Sequence, residues 1–433
     1  MKKLLLILLC LPMIGFGQGW ETTFGGTDAD IGRSVQQTTD GGYIICGLIL
    51  SFGNGDAYIN LIKTDSNGDS LWTKKFWAGL YPGGAGCSAQ QTNDGGYVIA
   101  GYTRNSGNGD ADVYLIKTDG NGDSLWTKTF GGSNSDWAES VKQTTDGGYI
   151  ITGFSALDTV PYDMYLIKTD DNGDSLWTKT FGGTEYDAGY SVQQTTDGGY
   201  IICGITRSFG NGDLDVYLIK TDGNGNSIWA KTFGGSGNDE GFSVQQTTDG
   251  GYVIVGYTRN FGNGDEDVYL IKTDENGDSL WTKTFWDTGE DIGFSIQQTT
   301  DGGYIICGLT KSSGDTLGDL YLIKTDENGY SLWTKTFGDT GEDIGFSVQE
   351  TTDGGYIICG VTLSFGTLSY DVYLIKTDGN GNLTSIFNIP TPNYSKKLEK
   401  ITDLLGRETK GTKNEVLFYI YDDGTVEKRI IIE

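Results

Sequence analysis

The stretch that decides the fold is Tyr190-Ser-Val-Gln-Gln-Thr-Thr-Asp-Gly-Gly-Tyr-Ile-Ile-Cys-Gly-Ile-Thr206, followed by Asp215-Val-Tyr-Leu-Ile-Lys-Thr-Asp-Gly-Asn-Gly-Asn-Ser-Ile-Trp-Ala-Lys-Thr-Phe233. Runs rich in β-branched and aromatic residues predict strands at 190–195, 200–206, 215–221 and 227–233. Asp-Gly and Asn-Gly between them are strong hairpin signals, because Gly and Asn tolerate the positive φ of tight turns. The stretch therefore predicts four consecutive antiparallel strands.

This unit recurs seven times, at intervals of 51 to 54 residues. Its Asp-Gly-Gly-Tyr motif begins at Asp40, Asp94, Asp146, Asp197, Asp249, Asp301 and Asp353. Four antiparallel strands in about 50 residues correspond to one propeller blade. We therefore predict an all-β chain, a seven-bladed β-propeller of four-stranded antiparallel blades, with a small β segment at its C-terminal end.

The two ends of the repeat region predict how the ring closes. Trp20-Glu-Thr-Thr-Phe24 matches the fourth-strand pattern, yet no first three strands precede it. The seventh unit has the opposite defect, because it ends at Ser385-Ile-Phe387 without a full fourth strand. We expect the N-terminal strand to complete the last blade, which leaves fewer exposed sheet edges.

Composition excludes several functions. The chain has no His, so Ser-His-Asp triads, His-ligated zinc and histidine pH switches are excluded. It carries 58 acidic against 30 basic residues, which argues against a nucleic-acid partner because phosphate binding needs a basic surface.

The ends of the chain predict export. Lys2 and Lys3 precede an apolar run and the small-residue site Gly15-Phe16-Gly17, so residues 1–17 are predicted to be a signal peptide. No later stretch is predicted to span a membrane. The propeller is assigned to 18–387, a Pro-containing linker to 388–395, and a segment of different composition to 396–433. We expect a secreted or cell-surface protein.

Two resemblances add to this interpretation. The segment around Asp65, Gly68 and Trp72 resembles the tryptophan-docking repeat of quinoprotein-like propellers, although its turn is one residue shorter than theirs. The C-terminal Asp403-Leu-Leu-Gly-Arg407 turn, the Tyr421 strand and the final Lys428-Arg-Ile-Ile-Ile432 are similar to the sorting domain of type IX secretion cargo. That second resemblance implies contact with the secretion machinery, passage across a Gram-negative outer membrane and removal of residues 396–433. The alternative is a small β appendage that packs on the propeller.

Recurrent aspartates are candidate metal ligands, since Ca²⁺ binds carboxylate and carbonyl oxygens. One set precedes the first strand and another precedes the third strand, so both are expected on one face. The alternative is structural, because an Asp at a loop-to-strand junction commonly accepts backbone N–H bonds. We expect no required cofactor, with Ca²⁺ as the one candidate. The first set, which would bind Ca²⁺, is Asp30, Asp136, Asp187, Asp239, Asp291 and Asp343; the second is Asp112, Asp163, Asp215, Asp267, Asp319 and Asp371.

Aromatic residues in atypical loops of neighbouring blades are candidate ligand-binding residues, because aromatic rings stack on sugars. They are Trp77, Tyr81, Trp137 and Tyr162, and scattered surface aromatics are the alternative. Four cysteines share one repeat position, and we expect no disulfides and a free Cys87.

For function, we expect a non-enzymatic binding or scaffold module whose partner is a glycan or a protein at the cell surface. One alternative is a carboxylate-based enzyme acting on polysaccharide, with two acidic side chains about 5–9.5 Å apart. Another is a quinone-dependent dehydrogenase, which would need a Ca²⁺ and cofactor pocket on the axis, and no residue of the sequence identifies one.

Overall fold

The computed structural model describes residues 19–430 except 52–54, 81–86, 105–106, 108–109, 157–161, 263–264, 287–288, 312–316, 367–368, 384–397, 403–406, 408, 410–415 and 422–425. The predicted signal peptide and linker lie outside these residues. The chain divides into two compact units, 1–384 and 385–433.

The first unit contains seven four-stranded antiparallel sheets, numbered here as blades 1 to 7. Blade 1 consists of Ala29–Gln37, Tyr43–Leu50, Asp56–Thr64 and Ser70–Leu80. Blade 2 consists of Ser88–Gln91, Tyr97–Thr103, Asp112–Thr118 and Ser124–Phe130. Blade 3 consists of Asp136–Gln143, Tyr149–Ser155, Asp163–Thr169 and Ser175–Phe181. Blades 4 and 5 consist of Asp187–Gln194, Tyr200–Thr206, Asp215–Thr221 and Ser227–Phe233; Asp239–Gln246, Tyr252–Thr258, Asp267–Thr273 and Ser279–Phe285. Blades 6 and 7 consist of Asp291–Gln298, Tyr304–Thr310, Asp319–Thr325 and Ser331–Phe337; Asp343–Glu350, Tyr356–Thr362, Asp371–Thr377 and Trp20–Phe24. This unit is a seven-bladed β-propeller, as predicted.

In blade 4 the second, third and fourth strands have the predicted bounds, but the first begins earlier, at Asp187. The Asp187 N–H donates to the carbonyl of Tyr162 in blade 3 at 2.9 Å, which extends the strand toward its neighbour. A bulge then interrupts the pairing between Gly189 and Ser191. The extension pairs with Gly204 to Thr206 of the same blade, and the sequence pattern missed it because the bulge interrupts the strand at residue 190.

Ring closure follows the prediction. Trp20–Phe24 pairs antiparallel with Asp371–Thr377, and Trp20 lies opposite Lys376. The Trp20 ring packs edge-on against Tyr43 of blade 1, with centroids 5.8 Å apart. It also covers Gly68, where φ is +86° and an added Cβ would lie 2.5 Å from the indole. The first and last blades are therefore joined by a sheet and by an aromatic contact.

The hydrophobic core lies between blades. One cluster joins Val35 and Ile45 of blade 1 to Ile357 and Leu374 of blade 7, and each of the other junctions has a similar cluster. The second strand, for example Tyr200–Thr206, is buried along its whole length. That burial explains its continuous apolar character, since a strand covered on both faces needs no alternation.

We call the end of the propeller that carries the Asp-Gly-Gly turns the turn face, and the opposite end the loop face. On the turn face of blade 4, buried Lys220 donates to Asp197 at 3.0 Å and to the carbonyl of Thr221 at 2.9 Å. The same ion pair occurs in all seven blades, as Lys63–Asp40, Lys117–Asp94, Lys168–Asp146, Lys220–Asp197, Lys272–Asp249, Lys324–Asp301 and Lys376–Asp353.

The prediction about cysteines is wrong at one site. Cys46 of blade 1 and Cys87 of blade 2 form a disulfide, with Cα atoms 5.9 Å apart, whereas Cys203, Cys307 and Cys359 are free and buried. Equivalent repeat positions are indeed not the ones bonded. Cys87 directly precedes the first strand of the next blade, Ser88–Gln91, which packs against the second strand that carries Cys46.

The second unit contains a three-stranded antiparallel sheet, with Val416–Tyr421 between the other two strands. Its strands are Leu398–Thr402, Val416–Tyr421 and Val426–Ile430. The strand that ends at Tyr421 matches the sequence-based expectation for this segment.

Candidate functional site

Seven side chains, one from each blade, surround a cavity of about 140 Å³ on the propeller axis. We call them the axial ring, and they are Arg33, Cys87, Glu139, Tyr190, Phe242, Phe294 and Phe346. Each precedes the Ser of the first strand, and in six blades a bulge lies at this point, as between Gly241 and Ser243. A bulge leaves one residue unpaired and re-aims its side chain, which here lines the axis.

Aromatic side chains form one arc of the axial ring. The ring centroids are 5.4 Å apart for Tyr190 and Phe242, 5.3 Å for Phe242 and Phe294, and 5.2 Å for Phe294 and Phe346. The Arg33 guanidinium continues the arc and lies 4.3 Å from the Phe346 centroid, within the range of a cation–π contact. The arc offers apolar faces beside a fixed positive charge.

The remaining part of the axial ring is polar. Burial lowers the pKa of Arg33, while the negative charge of Glu139 raises it, and the Arg33 Nε is buried without a hydrogen-bond partner. Burial, with the nearby Tyr186, Glu240 and Glu139, raises the pKa of Tyr190 well above its ordinary value. The cavity thus combines a cation, a carboxylate, a neutral phenol and aromatic surface.

The axial ring was missed by the sequence-based search, although the sequence contains its signal. The residue before Ser-Val-Gln-Gln or its variants differs strongly among blades, whereas the motif itself is nearly constant. Structural requirements that are equal in every blade select the same residue, so divergence at one repeat position indicates a role beyond the fold. Comparing the seven repeats position by position would have found it.

The two aspartate sets lie together on the loop face and form pairs across blade junctions. At the junction of blades 3 and 4, Asp163 and Asp187 both approach Gly182, where an added Cβ would lie 2.2 Å from an Asp163 oxygen and 2.7 Å from an Asp187 oxygen. Asp187 Oδ2 accepts the Gly183 N–H at 3.0 Å and the Ser208 hydroxyl at 2.6 Å. This arrangement matches the structural alternative, in which the aspartates accept backbone N–H bonds.

Five other junctions place one aspartate of each set together. These pairs are Asp112 with Asp136, Asp215 with Asp239, Asp267 with Asp291, Asp319 with Asp343, and Asp371 with Asp30. In each of them the N–H of the first-strand Asp donates to the carbonyl of the residue before the third-strand Asp. The junction of blades 1 and 2 has Tyr58 at the third-strand position instead, and the Cys46–Cys87 disulfide links those blades.

Burial raises the pKa of five of these carboxyl groups, those of Asp30, Asp136, Asp163, Asp239 and Asp343. Burial, the charge of Asp371 and that of Asp28 raise the pKa of Asp30 to about 6, although the Gly26 N–H and Lys75 lower it. Burial and the charge of Asp187 raise the pKa of Asp163. The Oδ1 atoms of Asp163 and Asp187 are buried and have no hydrogen-bond partner in the described part of the chain. Among the described residues, no three acidic or sulfur side chains converge as a metal-binding group. The aspartates thus occur as pairs.

The predicted aromatic residues are only partly brought together. Trp137 stacks on Tyr162 with centroids 5.9 Å apart and planes at 22°, and Phe154 packs edge-on against both rings. These rings form a cluster at blades 3 and 4, and the Trp137 Nε1 is buried without a partner. Trp77 is exposed, and its Nε1 donates to Asp56 at 3.3 Å. Tyr81 lies outside the described residues.

In the part of the chain that the structure describes, no helix is long and apolar enough to cross a membrane. No protein-family profile matches the chain. An alignment of 175 positions, which covers 34% of this chain, is 27% identical to the regulatory protein FlaEY of Caulobacter vibrioides. The match spans only 18% of that protein's length.

Several solved structures of low sequence identity align with this chain. Sqt1 from Chaetomium thermophilum is 12% identical with a TM-score of 0.47, over 93% of this chain and 96% of that chain. The Pan2 WD40 domain of Neurospora crassa is 9% identical with a TM-score of 0.44, over 83% and 98%. An α-L-arabinofuranosidase of Fusarium graminearum, in complex with an iminosugar inhibitor, is 11% identical with a TM-score of 0.47, over 68% and 92%. Glycosidases and WD40 proteins are thus both among these neighbours.

Proposed function

We propose that this protein is an exported, non-enzymatic binding module that holds an end group of a glycan in the axial ring. The observation that carries the proposal is the divergence of seven equivalent positions into a cation, a carboxylate, a phenol and an aromatic arc around one cavity. A cavity of about 140 Å³ has room for roughly five water molecules at ~30 Å³ each, so it suits a single end group.

The chemistry of the axial ring favours a charged glycan. Aromatic faces such as Phe294 and Phe346 pack on the apolar face of a sugar ring, while Arg33 and Glu139 bind charged or hydroxyl substituents. The aspartate pairs do not favour the enzymatic alternative. Asp163 and Asp187 are 8% and 0% exposed, so these carboxylates are not presented to a polysaccharide.

A glycan array probed with the full chain tests the proposal. We expect binding to glycans that end in a charged sugar, and a loss of at least about tenfold for Arg33→Gln and for Glu139→Gln. Glu275→Gln is the matched control, because Glu275 is exposed in a hairpin of blade 5 and undergoes the same chemical change. Equal binding by Glu139→Gln, Arg33→Gln and the control would place any ligand elsewhere and refute this site.

The location at the cell surface is part of the same proposal. It is supported by the sequence of residues 1–17 and by the resemblance of residues 396–433 to a sorting domain, a segment whose described part contains a three-stranded sheet. We expect a Gram-negative host that has type IX secretion to export the full chain. A chain ending at residue 387 should remain in the periplasm, and its normal export would contradict the sorting role.

A further inference from the structure

A second cavity on the axis, of about 480 Å³, lies between the first strands on the turn-face side of the axial ring. We call it the glutamine chamber. The first Gln of the Ser-Val-Gln-Gln motif, or of its variants, lines it in six blades, and Lys142 takes that position in blade 3. The six glutamines are Gln36, Gln90, Gln193, Gln245, Gln297 and Gln349.

Each of these glutamines joins its blade to the next. For example, Gln193 Oε1 accepts the backbone N–H of Gln246 at 2.7 Å, and the other five make the equivalent bond at 2.5 to 2.7 Å. A backbone N–H can only donate, so the bond fixes which amide atom is the oxygen. The Nε2 groups, which are donors, are therefore left for the chamber.

Lys142 breaks the pattern at a structural cost. A lysine ammonium has no acceptor atom, so it cannot accept the backbone N–H of the next blade as the glutamines do. This bond, which we call the glutamine clamp, is therefore missing from blade 3 to blade 4. The Lys142 side chain is half-buried, makes no hydrogen bond or ion pair among the described residues, and desolvation lowers the pKa of its amine. Among the described residues, no carboxylate lines the chamber, although the whole chain has a net charge of −28.

The chamber is therefore lined by hydrogen-bond donors and one positive charge. Amide NH₂ groups such as those of Gln90 and Gln193 share it with a cation, and hydroxyl groups such as that of Ser191 line the same wall. A buried cation that lacks a partner is costly, whereas an anion bound by it and by several N–H donors satisfies both. We propose that the glutamine chamber binds a small oxyanion, with Lys142 supplying the charge and the glutamine amides supplying hydrogen bonds.

This site is separate from the axial ring, and it does not rest on the glycan proposal. It assigns a function to the one position in the motif where a lysine replaces glutamine. Because the other six blades all have glutamine at this position, the variant Lys142→Gln is expected to fold and to regain the missing clamp.

Thermal unfolding of the full chain, with phosphate, sulfate or acetate against chloride at equal ionic strength, tests the inference. For the wild type we expect an oxyanion to raise the melting temperature by at least about 2 °C at saturation. Lys142→Gln should melt higher than the wild type without the anion and should lose the response. Lys335→Gln, on the outer strand of blade 6, removes the same charge and should keep it.

Titration calorimetry with phosphate gives the second measurement. We expect the affinity of Lys142→Gln to fall at least about tenfold, which is the loss of roughly one charge-assisted contact. The inference is overturned if the wild type shows no response up to about 50 mM anion, or if Lys142→Gln responds as the wild type does.

Discussion

The two faces of the propeller use aspartate in opposite ways. On the turn face, burial raises the pKa of Asp197, but the Thr195 hydroxyl, Lys220 and the Gly199 N–H outweigh it and lower that pKa to about 2. On the loop face, burial and a neighbouring carboxylate raise the pKa of Asp30 to about 6. The ionised carboxylate is thus stabilised at Asp197 on the turn face and destabilised at Asp30 on the loop face.

The difference teaches where each face is constrained. The turn-face pair lies within one blade, where Lys220 and Asp197 belong to adjacent hairpins, and it is repeated seven times without variation. The loop-face pair lies between two blades and is absent at the junction of blades 1 and 2, where Tyr58 replaces one aspartate. The ion pairs of the turn face are thus uniform among the seven blades, whereas the aspartate pairs of the loop face are not.

The largest expected effect concerns the junction that lacks an aspartate pair. Replacing both Cys46 and Cys87 by Ala frees a 41-residue loop in the unfolded chain. Chain entropy then predicts a loss of about 4 kcal/mol in the free energy of unfolding. Denaturant unfolding under oxidising conditions measures it. Cys203→Ala is the control, because blade 2 has Ala100 at that repeat position, and an equal loss there would show a packing effect instead.

The next effect compares one aspartate from each face. Asp197→Asn leaves the buried Lys220 ammonium without its counter-ion, and because the Asp197 side chain is itself 58% exposed we expect it to reduce the free energy of unfolding by roughly 1–2 kcal/mol. Asp239→Asn removes a carboxyl group whose pKa is raised by burial, so we expect little loss, or a gain, in the free energy of unfolding. Urea unfolding of both variants at pH 7 decides the matter, and equal losses would contradict the contrast between the faces.

A smaller effect is expected from pH. The folded state holds the Asp30 proton more tightly than the unfolded state, so that contribution is full below pH 3.8 and is lost as pH rises through about 6. Asp197 contributes above pH 3.8, and its contribution is lost as pH falls toward 2. We expect stability to be higher at pH 5 than at pH 8 and to fall below pH 3. Asp30→Asn should reduce the difference between pH 5 and pH 8, and an unchanged difference would contradict this assignment.

Calcium is expected to have the smallest effect. We propose that a bound cation would sit between two paired carboxylates such as Asp163 and Asp187, whose Oδ1 atoms have no hydrogen-bond partner. Two carboxylates are few for Ca²⁺, which prefers six to eight oxygens, so we expect a shift of only about 1–2 °C in melting temperature between CaCl₂ and EDTA. The shift should vanish in Asp187→Asn. Coincident melting curves of the wild type in CaCl₂ and EDTA would refute the proposed cation site.

Much of the fold was accessible from local sequence because its determinants are local. Tyr200–Thr206 and Asp215–Thr221 have the predicted bounds, since Asp-Gly and Asn-Gly turns set them. Closure by Trp20–Phe24 was also predicted, because a lone fourth strand at one end and a missing one at the other complement each other. The Lys220–Asp197 ion pair was not predicted, because the repeat pattern does not show which of its charged residues are in contact.

The candidate site was less accessible for a related reason. Sequence reasoning selected Trp137 and Tyr162, which do stack, but the structure packs them in a cluster with Phe154. It overlooked Glu139 and Lys142, which lie near the axis only because seven first strands converge there. Divergence at a repeat position identifies such residues in the sequence, but the sequence does not show that their side chains meet at the propeller axis.

The sequence by itself determined the all-β class, the seven blades and the strand that closes the ring, because turn chemistry and the strand pattern act over a few residues. Only the tertiary structure decided the partners across blades: the Cys46–Cys87 bond, the aspartate pairs, the axial ring and the glutamine chamber. These contacts join residues about 20 to 340 positions apart, and their distances depend on how the blades pack around the axis.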